Sequence, residues 1–270
     1  MKVLITGGAG YIGSMVAHFL TDIGYDVYII DNLSTGSVKL LPPNSKFYKL
    51  DIGLGEKVTK VIKDISPKVI IHLAASVEVE ESIINPLDYY ENNISKSISF
   101  LKSSIESNIK NLIFSSTAAV YEIPKSQKRI KESHNKNPKS PYGYSKLVLE
   151  NIIKNASQKY KFKSIILRYF NVAGADIKLR TGQIKEPATH LIKIACEVAT
   201  NKKNSISIFG NDYNTKDGTC IRDYIHIADL ADIHKLAIEY LSKGGSSQIL
   251  NCGYGKGYSV LQVINKVKEI

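Results

Sequence analysis

Tyr142 and Lys146 stand four residues apart in Ser140-Pro141-Tyr142-Gly143-Tyr144-Ser145-Lys146. Ser140 suits a helix N-cap and Pro141 the first helical position, so both side chains fall on one helix face. A free phenol titrates near about 10 and is a poor base at neutral pH. An ammonium one turn away would stabilise the phenolate and lower that value. Tyr142 could then exchange a proton with a substrate hydroxyl. On an ordinary solvated helix the same pair would do nothing, so its meaning depends on the elements around it.

Those elements alternate. Residues 2–6 form a short apolar strand that runs into Gly7-Gly8-Ala9-Gly10-Tyr11-Ile12-Gly13, and residues 14–23 follow with a helical apolar face. Strand, glycine turn and helix in that order make a dinucleotide-binding unit. Gly7 permits the tight turn, Gly10 lets backbone approach a pyrophosphate, and Gly13 lets helix pack on strand, with Tyr11 and Ile12 between them at the helix N-terminus. The second strand, residues 26–31, ends on Asp31, about 20 residues after the loop, where a carboxylate binds the adenosine ribose hydroxyls. A carboxylate there repels a 2′-phosphate, so NAD is expected over NADP. The competing reading of Asp31 is a turn starter before Asn32.

Further strands are expected at 46–50, 68–73, 111–114 and 162–168, and helices at 55–65, 86–108 and 141–160. Asp51 and Ile52 close the third strand as a candidate adenine edge, and Ala74 follows the fourth, where small residues let the chain pass close to a cofactor. Asn92 rides on the helix after Pro86. Ser115, Ser116 and Thr117 lie at the carboxyl end of a strand, where open α/β sheets bind ligands, although turn formation would also explain them. Continued alternation over about 170 residues predicts an α/β fold with a doubly wound parallel sheet of the Rossmann type. Beyond residue 175 the pattern loosens into a smaller, incomplete α+β substrate region expected over 176–270, with a helix at 188–200 and strands at 206–209 and 249–252, the last placed to rejoin the sheet. Ser259 caps a final helix.

Composition narrows the partners. The chain of 270 residues carries 36 basic against 25 acidic side chains, a net charge of +11. The lysines are scattered singly, as at Lys102 and Lys110, which suits a solvated surface and an anionic nucleotide substrate better than a nucleic-acid stripe. Cys196, Cys220 and Cys252 are widely spaced and odd in number, which favours a reducing cytoplasm and neither a metal site nor a disulfide frame. No apolar run approaches a membrane span and no signal-peptide core precedes the glycines.

Taken together, the glycine loop, Asp31, Ser115–Thr117, Tyr142 with Lys146, and Arg168-Tyr169-Phe170-Asn171 resemble the extended short-chain dehydrogenase/reductase superfamily. Phe209-Gly210-Asn211-Asp212-Tyr213 and the stretch from Asp217 to His226 are similar, more narrowly, to the UDP-glucose 4-epimerase family. The resemblance implies NAD as cofactor, a UDP-sugar as substrate and a homodimer. It places Gly7, Gly10, Tyr11, Ile12, Gly13, Asp31, Asn32, Asp51, Ile52, Ala74, Asn92, Tyr142, Lys146 and Tyr169 around the cofactor. It makes Tyr142 the base, Lys146 its partner and a grip on the nicotinamide ribose, and Thr117 a proton relay. Asn171, His190, Leu191, Phe209 and Arg222 would face the nucleotide sugar, with Arg222 on its diphosphate, unless that arginine merely pairs within Arg-Asp-Tyr. The dimer would form through the helix after Pro86 and the helix of Tyr142, with Ile94, Ile98, Leu101, Leu147 and Leu149 as apolar surface.

Two departures qualify the resemblance. Members often carry a lysine soon after the strand-4 alanines; here Val77 stands there, followed by Glu78, Glu80 and Glu81. Members also continue beyond Val260 with elements that supply another arginine and an aspartate for the uridine, so weak UDP-sugar binding and low or absent activity are expected. Rival readings are another nucleotide-sugar enzyme of this scaffold, or an NAD-binding protein with little activity. A 4,6-dehydratase needs an acid pair after Thr117, and Ala118 and Ala119 cannot transfer protons.

Overall fold

The computed structural model describes residues 1–123 and 129–270. Among the described residues ten strands lie in chain order: β1 (Lys2–Thr6), β2 (Asp26–Asp31), β3 (Lys46–Lys49), β4 (Val69–His72), β5 (Asn111–Thr117), β6 (Lys163–Tyr169), β7 (Asn171–Ala173), β8 (Ile221–His226), β9 (Gln248–Cys252) and β10 (Gly257–Ser259). Seven make one sheet in the order β3-β2-β1-β4-β5-β6-β9, every neighbour parallel. A second, three-stranded sheet has the order β10-β8-β7.

Both faces of the main sheet are covered, which is why its strands read as apolar runs rather than alternations. Val3, Ile5, Ile29, Ile71, Ile113 and Leu167 point to one face, where α1 (Tyr11–Asp22) packs with Val16 and Leu20. Leu4, Ile30, Ile70, Phe114 and Ile166 point to the other. There α2 (Gly55–Ile65) lays down Val58, Ile62 and Ile65, and the helix of Tyr142 adds Leu149 and Ile153. This is the doubly wound α/β arrangement that the alternation predicts.

The expected helix over 86–108 is segmented. Short helices α3 (Val79–Ile84) and α4 (Pro86–Tyr89) lead into a π-helical turn at Tyr90–Ser95, and α5 (Lys96–Glu106) continues from it. The wider turn carries Asn93 fully buried. α6 (Pro141–Tyr160) begins as its sequence demands, with the Ser140 hydroxyl accepting the Gly143 N–H at 3.1 Å, and Lys161 ends it at φ 57°. Leu101 and Leu149, expected as dimer surface, instead pack in the protein's own core; the apolar sheet behind them claims that side of each helix.

Beyond β6 three expectations change. Residues 206–209 form no strand: no neighbouring strand offers a partner, and Phe209 is 82% exposed just before a turn at Gly210. The expected helix at 188–200 is α7 (Leu191–Ala199). The small sheet was not anticipated at all. Its middle strand β8 feeds α8 (Ile227–Ser242), whose Leu230, Ala231 and Ile238 fill the same layer as α1. β9 then pairs with β6, from Ile165 opposite Gln248 to Tyr169 opposite Cys252. The last helix, α9 (Val260–Glu269), opens on a capping box of Ser259 and Gln262. No helix among the described residues is long and apolar enough to cross a membrane.

Candidate active site

The carboxyl ends of β1, β2, β4 and β5 converge on one edge of the sheet, and the chemistry-bearing residues gather there. The glycine turn after β1 is held by close approach of backbone. Gly7 sits at φ 71°, and a Cβ on Gly13 would lie 2.1 Å from the Gly7 carbonyl oxygen. Gly13 thus serves the closure of the turn itself more than the contact of helix and strand. Gly10 is the helix N-cap and has only the Gly7 oxygen within reach of an added Cβ, at 3.4 Å. In the first turn of α1 the N–H groups of Tyr11, Ile12 and Gly13 have no intrahelical acceptor, the usual condition of a helix start. The Tyr11 hydroxyl donates to the Gly174 carbonyl at 2.6 Å.

Asp31 braces this turn. Its carboxylate accepts from the N–H of Ala9 at 3.0 Å and of Leu33 at 2.8 Å. Next to it, Asn32 donates to Asp51 at 3.0 Å, and Lys96 meets the same carboxylate at 2.8 Å. Ile52 is buried. Ala74 crosses directly over Gly7, its amide nitrogen 2.7 Å from the place of a Gly7 Cβ. A small turn, an acidic brace at the end of β2 and a flat chain over the loop fit the phosphates and ribose of a dinucleotide.

Thr117 ends β5, its hydroxyl oxygen accepting the Ala119 N–H at 3.1 Å. α6 comes close to this point because Gly143 has no side chain: a Cβ there would stand 2.5 Å from the Ala119 carbonyl oxygen. Tyr142 is thereby brought close to Thr117, near enough for the Thr117 hydroxyl to act on its phenol.

The surroundings of the Tyr–Lys pair are strongly desolvated. Lys146 is 2% exposed and turns toward β5, donating to the Ser115 carbonyl at 2.9 Å and lying 5.0 Å from the centre of the Phe114 ring. Burial pulls its ammonium down to about 7. Burial also pushes the Tyr142 phenol up to about 12; the Thr117 hydrogen bond works against that rise and the Glu78 charge adds to it. Among the protein's own groups, desolvation is the dominant influence on both side chains.

Neutral polar groups complete the surround. His72 lies between Thr6 (2.7 Å) and Ser97 (3.0 Å), and burial holds it down at about 3. Tyr169, buried, bonds His234 at 2.7 Å. Asn92 donates to the Ser76 hydroxyl at 3.0 Å.

The residues expected on the sugar nucleotide are less concentrated. Asn171 opens β7, exposed. His190 caps α7 and Leu191 is its first residue. Arg222 is exposed on β8, its guanidinium returning to the Ile221 carbonyl at 2.9 Å. The structure therefore gathers the glycine turn, Asp31, Ala74, Thr117, Tyr142 and Lys146. It leaves Phe209 and Arg222 facing solvent.

Two residues escaped the reading of the sequence. Asn93 accepts from the Ser76 N–H at 2.8 Å and donates to the Ser145 hydroxyl at 3.1 Å, so it ties the loop after β4 to the helix of the Tyr–Lys pair. Its adjacency to Asn92 was the available signal. Glu150 pairs with Arg168 inside the protein, at 2.9 and 2.6 Å. Its position eight residues after Tyr142 on a helix face turned inward could have marked it.

A model of the NAD dependent epimerase/dehydratase family matches residues 3–253. A UDP-glucose 4-epimerase of Azospirillum brasilense is 47% identical over 269 residues, covering 100% of this chain and 77% of that protein. The crystal structure of UDP-glucose 4-epimerase from Brucella ovis in complex with NAD superposes with a TM-score of 0.96 at 38% identity, over 100% of this chain and 82% of that one. The epimerase from Bifidobacterium longum in complex with NAD⁺ and UDP does so with a TM-score of 0.90 at 34% identity, over 98% and 82%.

Proposed function

The chain belongs to the NAD dependent epimerase/dehydratase family, and from that premise we propose how its residues divide the work. The activity is NAD-dependent epimerisation at C4 of a UDP-hexose, through removal of hydride, rotation of the 4-keto sugar and return of hydride to the opposite face. Neither rival, another nucleotide-sugar enzyme or an NAD-binding protein with little activity, finds support. When bound, NAD supplies the hydride acceptor and donor and a positive charge.

In our reading Tyr142 takes the proton of the sugar 4-hydroxyl and later returns one, with Thr117 bridging and Lys146 holding charge against it. Gly7, Gly10, Tyr11, Ile12 and Gly13 hold the pyrophosphate, Asp31 and Asn32 the adenosine ribose, and Asp51 and Ile52 the adenine edge. Ala74, Asn92, Lys146 and Tyr169 line the cofactor cleft. Asn171, His190, Leu191, Phe209 and Arg222 hold the sugar nucleotide. Residues 1–175 serve the cofactor and 176–270 the substrate, although α8 and β9 of the second part complete the core of the first. The observation that carries this reading is Tyr142 and Lys146 one turn apart on α6, which Gly143 lets approach the end of β5 at Ala119. Conversion of UDP-galactose to UDP-glucose without added NAD tests it; absence of conversion by protein that contains NAD would overturn it.

Asp31 gives a sharper check on the cofactor. Asp31→Ala is expected to weaken NAD about tenfold or more, the scale of a hydrogen bond to a charged group, and to affect NADP much less. Equal affinities for the two cofactors in the unmutated protein would refute the assignment.

We further propose a homodimer in which the helical run from Pro86 and α6 meet their copies. Ile94, Ile98 and Leu147 are half-buried there, and Tyr90 and Tyr144 meet edge to face at 6.1 Å with Tyr144 51% exposed. Light scattering at micromolar concentration should return twice the chain mass of 29.9 kDa; the mass of one chain would count against the dimer.

A further inference from the structure

Glu78 stands among the residues that depart from the family pattern, directly after Val77 in the loop that follows β4. Its carboxylate spans to the substrate side. One oxygen meets Lys185 at 2.9 Å and the other accepts the Thr189 hydroxyl at 2.8 Å, across 107 and 111 residues of sequence. The side chain is only 14% exposed. From Thr189 the contacts continue to His190, whose Nδ1 lies 3.3 Å from the Thr189 hydroxyl and 2.5 Å from the Gln183 amide, and His190 begins α7. At the other end, Ser76 is fixed by Asn93, and Asn93 by Ser145, the residue before Lys146. Hydrogen bonds from Ser145 through Asn93 to Ser76, the two peptide links from Ser76 to Glu78, and the contacts of Glu78 with Lys185 and Thr189 therefore connect the helix of the Tyr–Lys pair to the start of α7. The charge of Glu78 also acts on the Tyr142 phenol, which puts the carboxylate within electrostatic range of the base.

We propose that Glu78 is a positioning residue whose carboxylate latches residues 185–190 against the catalytic helix, and so governs how tightly the sugar nucleotide is held. The inference rests on the reading that His190 and Leu191 face the nucleotide. An exposed ion pair would hold nothing, because water screens it and side-chain freedom opposes it. Here both carboxylate oxygens are engaged, one by a neutral hydroxyl, and the carboxylate is largely shielded from solvent.

The test combines kinetics with backbone amide exchange on the NAD-containing protein. Glu78→Ala should raise KM for UDP-galactose about tenfold while kcat changes by less than about threefold, the signature of lost binding common to ground and transition states. Amide exchange across 183–195 should quicken about tenfold, with the exchange of β1 and β5 unchanged. Glu78→Ala with Lys185→Ala should be no worse than Glu78→Ala alone, since both remove one interaction. Unchanged exchange over 183–195, or effects of the two substitutions that simply add, would overturn the latch. Should Glu78→Ala fail to fold, Lys185→Ala and Thr189→Val serve in its place: lost protection over the same stretch supports the latch and normal exchange overturns it. If the unmutated protein does not interconvert the sugars, the functional reading fails by itself, and amide exchange still decides whether Glu78 holds this segment.

Discussion

Tyr142→Phe is expected to lower kcat for UDP-galactose by roughly 10²–10⁴-fold while the NAD content of the purified protein stays as it was. The substitution removes one hydroxyl and keeps the ring, so the approach of α6 to Ala119 through Gly143 is undisturbed. What disappears is the group proposed to exchange the proton. Burial pushes the phenol up to about 12 among the protein's own groups, and Phe has no proton to exchange at all. Single-turnover rates and the nucleotide released on denaturation give the two readouts. A loss of tenfold or less would remove Tyr142 from the role of principal base.

Arg168→Met should produce the largest loss of stability, about 3–5 kcal/mol, as expected when one partner of a buried ion pair is deleted. Arg168 is 1% exposed, and its guanidinium grips Glu150 with two parallel bonds. It also donates to the Tyr121 hydroxyl at 2.8 Å and the Glu132 carbonyl at 3.2 Å. Without it Glu150 would keep only the Ser116 hydroxyl against its charge. Removing both charges with Arg168→Met and Glu150→Leu should recover a large part of the loss, because the penalty lies in the orphaned carboxylate. Urea unfolding followed at neutral pH measures all three proteins. Equal stability of Arg168→Met and the unmutated protein would show that the pair is solvated or dispensable.

The main sheet was legible because its inner strands, such as β1 and β4, are apolar on both faces and each crossover helix carries its own stripe, as Val58, Ile62 and Ile65 do. The glycine turn and Asp31 were legible because backbone conformation and charge at one spacing have few other uses. The Tyr–Lys pair was legible in position, while its desolvated surroundings were not. Spacing puts Tyr142 and Lys146 on one face of α6, but it does not say that the ammonium turns to the Ser115 carbonyl or that burial dominates both groups. The second sheet was not legible. β7 and β10 are three residues each, too short for a pattern, and β8 is paired by residues far from it in sequence. Ile208 and Phe209 show the reverse error: apolar, β-favouring residues that find no strand to pair with. The Glu78 contacts, 107 and 111 residues apart, are tertiary and leave no local signal.

The place of β9 at the edge of the main sheet bears on how the chain is made. β6 acquires its outer neighbour only after β7, β8 and α8 have been synthesised. A nascent chain that has just emerged through β6 holds five strands of the sheet behind it, but offers an open parallel edge at Ile165, Ile166 and Leu167. Unpaired edges of this kind template association with other chains. The layer beside α1 is bare at the same moment, since Leu230, Ala231 and Ile238 have yet to arrive. Pairings so distant in sequence are slow to form. The ribosome-bound intermediate is therefore the stage at which this protein most needs shielding, and a slower passage through the codons for 170–250 would lengthen its exposure.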